Sequence, residues 1–162
     1  MTPSQAQREA VELLKQVVRA VDWTERTSNG EHIISDRGRH PITKIKTGYK
    51  STKWASMRTP DGNRPLRLRV QTEWWEEASK EEQLGLIVHE ATHIRHHHHK
   101  PEFWEVNIDL YRELSDHADF QDYDWKKVSR FAKDDPNRLC VDRRSETVQE
   151  RKERMEVVED FR

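Results

Sequence analysis

Apolar residues recur along this chain in two rhythms, and these lay out most of its elements. From Ser4 to about Val21, Ala10, Leu13, Leu14, Val17, Val18 and Val21 return at the three- and four-residue steps of one helical face, which predicts an N-terminal helix. Residues 24 to 40 are turn-rich and polar. Ile42, Lys44 and Lys46, and then Leu66, Leu68 and Val70, alternate with their neighbours as two or three short strands would, with Thr59-Pro60-Asp61-Gly62-Asn63 as a turn between them. Helical spacing then resumes. Ser79-Lys80-Glu81-Glu82 has the form of a capping box, and Leu84, Ile87, Val88, Ala91 and Ile94 follow as a stripe suited to burial. That stripe leaves Leu86, His89, Glu90 and His93 facing another side. Phe103, Asn107, Leu110, Tyr111 and Leu114 mark the next helix. Trp125, Val128, Phe131 and Ala132 mark one more, broken by Asp134-Asp135-Pro136-Asn137. The sum is an α+β fold: a short antiparallel sheet packed on the helix that carries His89, with helices at both ends.

Composition refines this picture. In 162 residues, 33% are hydrophobic and 36% charged, so a single domain with a small core is expected. We place it at residues 1–136. Residues 137–162 form a charged helical extension with seven acids and seven bases, where only Val148, Met155 and Val158 supply a stripe. A docked helix, a partner-binding helix and a fraying one all fit that pattern. No apolar run has the length of a membrane span or a secretory core, which predicts a soluble cytoplasmic protein without membrane contact. The single Cys140 has no intramolecular disulfide partner and reads as a thiol beside Leu139 and Val141.

The chemistry is concentrated in His89-Glu90-Ala91-Thr92-His93, the HExxH pattern of zinc hydrolases. Four residues along a helix bring side chains back to nearly the same face, so His89 and His93 can share one metal ion. Glu90 then flanks that ion without being its ligand. It can hold an attacking water, take its proton and return that proton to a leaving amine. A catalytic zinc usually has three protein ligands. His99 is our choice for the third, six positions past His93, far enough for the helix to end and the chain to swing back. His96, His97 and His98 are alternative ligands or loop histidines. Glu105 is the remaining rival, because Glu105 to Asp109 fits the ExxxD form of thermolysin-like enzymes, at an interval from His93 shorter than is usual there. The four-histidine run is internal and short, unlike an expression tag.

His99-Lys100-Pro101-Glu102-Phe103-Trp104 resembles the His-(Ser/Gly)-Pro-Glu-Phe-Trp signature that follows HExxH in the SprT-like and YgjP-like minimal zinc metallopeptidases. Thr52-Lys53-Trp54-Ala55-Ser56-Met57 is similar to the (Thr/Ser)-(Lys/Arg)-Trp-Gly-Ser-Cys segment of YgjP-like proteins, with Ala55 and Met57 in place of Gly and Cys. The likeness covers residues 43 to 115. It implies a minimal zincin-like core, Zn2+ held by His89, His93 and His99, and hydrolysis of peptide bonds with Glu90 as base and then acid. It also implies a protein or peptide substrate. The strand ending near Val70 offers an edge on which an extended chain could pair. Tyr111, Arg112, His117 and Tyr123 are candidates for a group stabilising the oxyanion.

Charge is unevenly distributed although the net value is −1. Arg37 to Arg69 contains ten Lys or Arg and one acid, whereas Pro101 to Asp124 has eight acids and one base. The basic segment, with Tyr49 and Trp54 interleaved, suits DNA or another phosphate backbone as partner, and SprT-like relatives act on DNA-associated proteins. A solvated face offset by the acidic helix is the plainer alternative. Two other functions fit the same residues: a zinc phosphohydrolase acting on nucleotides, and a DNA- or partner-binding module with structural zinc. Oligomeric state leaves no mark in the sequence.

Overall fold

A computed structural model describes residues 1–26, 32–34, 40–41, 54–58, 67–96, 98–133 and 146–159. Helix α1 (Pro3–Ala20) starts from a capping box, in which the Thr2 hydroxyl accepts from the Gln5 N–H and the Gln5 side chain accepts from the Thr2 N–H. The expected face is buried through Ala10, Leu14, Val17 and Val18, joined by Ala6.

Strands β1 (Thr24–Arg26), β2 (His32–Ile34) and β3 (His40–Pro41) form an antiparallel sheet with Thr24 opposite Ile34 and Ile34 opposite His40. The sequence pattern reads this stretch as turns, because strands of two or three residues are too short for alternation to register. The Ile42 to Lys46 strand and the Thr59 to Asn63 turn lie outside the described residues, as does most of the basic segment. The Leu66 to Val70 expectation is met by β5 (Arg67–Val70), whose antiparallel partner is β4 (Ala55–Arg58). Leu68 and Val70 point into the core while Arg67 and Arg69 are half-buried, which is the period of two.

Gln7 of α1, itself buried, completes this hairpin. Its side-chain amide donates to the Val70 carbonyl at 2.7 Å and its oxygen accepts from the Val70 N–H at 3.3 Å. One glutamine thus imitates a neighbouring strand. The outer edge of β5 at Val70 is thus occupied by this glutamine.

Helix α2 (Thr72–Glu77) carries the adjacent tryptophans. Trp75 is core, whereas Trp74 is half-buried and stacks on Trp54 with centroids 4.9 Å apart. Helix α3 (Lys80–Thr92) begins at the predicted capping box, with reciprocal bonds between Ser79 and Glu82. Its surroundings differ from the amphipathic expectation: every residue from Leu84 to Ile94 is buried, Leu86 included. The reason is enclosure by α1, β4, α4 and α5, which leaves no solvent face.

Helix α4 (Pro101–Asp116) opens with Pro101 in its first turn, where the missing N–H costs nothing, and buries Phe103, Asn107, Leu110, Tyr111 and Leu114 as expected. Helix α5 (Trp125–Arg130) leads into a 3₁₀ turn, Phe131–Lys133. That turn comes so close to α3 that a Cβ on Gly85 would lie 2.6 Å from the Phe131 Cβ. Only glycine permits this approach, one helical turn before His89. Helix α6 (Val148–Glu159) packs on α4 and the 3₁₀ turn. Of the three possibilities read from sequence, it is the docked helix. Its anchor is Arg154, 2% exposed, and not Val148, which is 89% exposed. Most described residues are helical, with short antiparallel sheets, an α+β arrangement. No described helix is long and apolar enough to cross a membrane.

Candidate metal centre

Two elements bring the histidines together. His89 projects from the last turn of α3, His93 is the C-cap of the same helix with helical dihedrals (φ −63°, ψ −15°), and His99 sits in the turn before α4. All three are buried, and their candidate ligand atoms lie within 4.8 Å of one another. His89 Nε2 and His99 Nε2 are 3.0 Å apart. Two ring nitrogens on one tetrahedral zinc, each bound at about 2.0–2.1 Å, stand about 3.3 Å apart, so the pair nearly has the spacing of co-ligands. Two lone pairs at that distance repel each other unless a proton or a metal ion lies between them.

Neighbouring groups orient these rings. His93 Nδ1 lies 2.9 Å from the His96 carbonyl oxygen, which can only accept, so Nδ1 carries the proton and Nε2 is left as the ligand atom. The Asn107 amide donates to the Thr92 hydroxyl at 3.1 Å, which donates to the Val88 carbonyl at 2.7 Å, tying α4 to the end of α3 beside His93. Phe103 packs against all three imidazoles, with centroids 5.0 Å from His89, 4.7 Å from His93 and 4.9 Å from His99. Trp104 stacks on His99 at 5.9 Å and 24°, and reaches His89 at 5.8 Å.

Burial sets the protonation of the site's groups. Burial holds the His89 imidazole well below its ordinary range, with His99, His93 and Arg154 adding like-charge repulsion. It stays neutral, the state a metal needs. Burial pushes the Glu90 carboxyl well above the carboxylate range. Glu90 is 0% exposed, and neither of its oxygens has a hydrogen-bond partner among the described residues. A buried carboxyl without donors is costly, and a metal ion with its water would relieve that cost. The donor set therefore fits a metal ion.

Among the described residues, none of the rivals for the third position belongs to this cluster. Glu105 is exposed on the outer side of α4, His96 is half-buried with its carbonyl on His93, His98 is exposed, and His97 lies outside the described residues. Each oxyanion candidate has a neighbour outside the histidine cluster. Tyr111 stands eight residues beyond Phe103, about 12 Å along α4, and packs on Trp125. Arg112 faces Asp109, His117 caps a 3₁₀ turn through Asp119, and Tyr123 stacks on Phe120. Phe103, Trp104, Asn107 and Arg154 are the neighbours whose part in the site the sequence does not reveal. Their signal is weak, because ring packing has no spacing rule and Arg154 lies in a segment dense in charge. Compared with protein-family models, curated proteins and solved structures, the chain matches none, so the site is read from its own geometry.

Proposed function

We propose that this chain is a zinc-dependent hydrolase of peptide bonds built on a minimal zincin-like core. What carries the reading is a buried carboxyl, Glu90, without a donor among the described residues and adjacent in sequence to His89 of a cluster of three histidines. Three imidazoles suit zinc, copper, iron or nickel, and the hydrolytic pattern around Glu90 selects zinc. Bound zinc would supply a Lewis acid that polarises a carbonyl and lowers the pKa of a water to about 7. His89, His93 and His99 would hold it. Glu90 accepts the proton of the attacking water and delivers it to the departing amine. Phe103 and Trp104 exclude water from the far side of the imidazoles. The SprT-like and YgjP-like resemblance of His99 to Trp104 supports the same reading.

One observation favours a structural metal instead, namely that Glu90 and the three histidines are all buried. Against it stands Glu90 itself, since a structural site needs no base and usually closes with four protein ligands. Zinc-loaded wild type and Glu90→Gln, assayed on an unfolded polypeptide, separate the two. The proposal expects hydrolysis by the wild type and a loss of about 10²–10⁴-fold in the variant with zinc retained. A zinc-loaded wild type inert on unfolded polypeptides, or a variant of equal rate, contradicts it.

A further inference from the structure

Arg154 is the most enclosed charged side chain of α6, and its partners are specific. Its Nε and Nη2 donate to the two oxygens of Glu146 at 3.0 and 3.1 Å, the bidentate fork, and Nη1 donates to the Ala132 carbonyl at 2.8 Å. The guanidinium lies 5.3 Å from the centroid of the Trp104 ring. Trp104, 1% exposed, stacks in turn on His99. A continuous series of contacts therefore runs from the C-terminal helix to the third histidine. Gly85 is part of its foundation, because the close approach of Phe131 sets the 3₁₀ turn whose Ala132 carbonyl receives Arg154.

A buried ion pair is seldom retained for stability alone, since desolvating both charges cancels most of their attraction. Here the pair does something an apolar pair of the same size could not. It holds a planar cation 5.3 Å from the centroid of the Trp104 ring, on which His99 also stacks, and so limits how that indole, and the imidazole stacked on it, can turn. His99 needs this support most. His89 and His93 are set by α3, whereas His99 stands in a turn and depends on what packs around it.

We propose that Arg154 is a positioning residue of the metal centre, holding His99 through Trp104, so that metal binding and docking of the 146–159 segment are coupled. The inference rests on the reading of His89, His93 and His99 as a metal site. Coupling is reciprocal: whatever factor Arg154 contributes to metal affinity, the metal returns to the docking of α6. Residues that orient metal ligands from outside typically contribute about 10–100-fold in affinity.

The test is zinc affinity, measured by competition with a chromophoric chelator for wild type, Arg154→Met, Arg154→Lys and Glu146→Gln. Hydrogen exchange of the 146–159 segment, with and without zinc, accompanies it. Arg154→Met should bind zinc about 10–100-fold more weakly, the loss of positioning outweighing the relief of charge repulsion at His89. Arg154→Lys, which keeps the cation but not the fork, should fall between it and wild type, and zinc should slow exchange in α6 of the wild type. Glu146→Gln keeps the guanidinium but offers it one acceptor in place of two, so it too should fall between Arg154→Met and wild type. A merely structural Arg154 would leave zinc affinity within twofold of wild type in all three variants and α6 exchange indifferent to zinc, and that result overturns the inference. If wild type binds no zinc, the metal-site reading falls and the coupling with it. If wild type binds and the variants match it, only the coupling falls.

Discussion

At the scale of single residues, Glu90 shows the cost of the proposed chemistry. Its carboxyl is raised by burial, so the folded chain keeps a proton that the unfolded chain, with an ordinary carboxyl near 4.3, has lost. The stability linked to Glu90 is complete below the unfolded value and is lost as pH rises through the folded one. His89 runs the other way. Its depressed value makes the unfolded chain the better proton binder below about 6.5, so its share of stability is present above that pH and is lost as pH falls. Glu90→Gln isolates the first effect. In metal-free protein the variant should melt above wild type at pH 8, with the gap closing towards pH 5; an unchanged gap over that range in thermal unfolding would show that Glu90 bears no such burden. His89, Glu90, His93 and His99 were legible as a group because helix geometry and one turn dictate their spacing. Phe103 is legible as an apolar position of a helix and a letter of a signature, but not as a neighbour of the histidines. Its contact with all three imidazoles depends on the crossing of α3 and α4, which no local pattern encodes.

At the scale of elements, legibility followed length and capping. Helices α1, α3, α4 and α5 repeat an apolar face or carry a cap, and all were readable; α2, six residues with two tryptophans, was not. The strands were harder, since β1 to β3 span two or three residues each and owe their pairing to partners distant in sequence. Helix α6 was readable as a helix but not by its anchor. An arginine that bonds a carboxylate of its own segment and a carbonyl of another is a tertiary fact. Gly85 belongs to this scale too, because its missing Cβ sets the distance between α3 and the Phe131 turn. Gly85→Ala gains helix propensity worth up to about 1 kcal/mol, yet must displace Phe131, and overpacking costs about 1–3 kcal/mol. We expect a lower denaturation midpoint; a variant as stable as wild type would mean that the turn yields freely.

For the whole molecule, the organising fact is that α3 is central, with neighbours on every side and its catalytic-looking residues inside. Periodicity predicts an amphipathic helix with Leu86, His89, Glu90 and His93 turned to another side, because the apolar stripe is what it detects. Enclosure from four directions is not written in any one segment. The same enclosure keeps His89 neutral and Glu90 without donors, so burial and the candidate chemistry have one origin. The basic segment that suggested DNA lies largely outside the described residues, and the charge separation along the chain stands as a sequence observation. Everything proposed for function depends on whether the three histidines hold a metal. The most direct measurement is the metal content of dialysed protein for wild type, His99→Ala and Glu105→Ala. The account predicts about one zinc per chain in wild type and in Glu105→Ala, and a content well below that in His99→Ala. A wild type without stoichiometric metal, or a His99→Ala variant that keeps its zinc while Glu105→Ala loses it, would contradict the account.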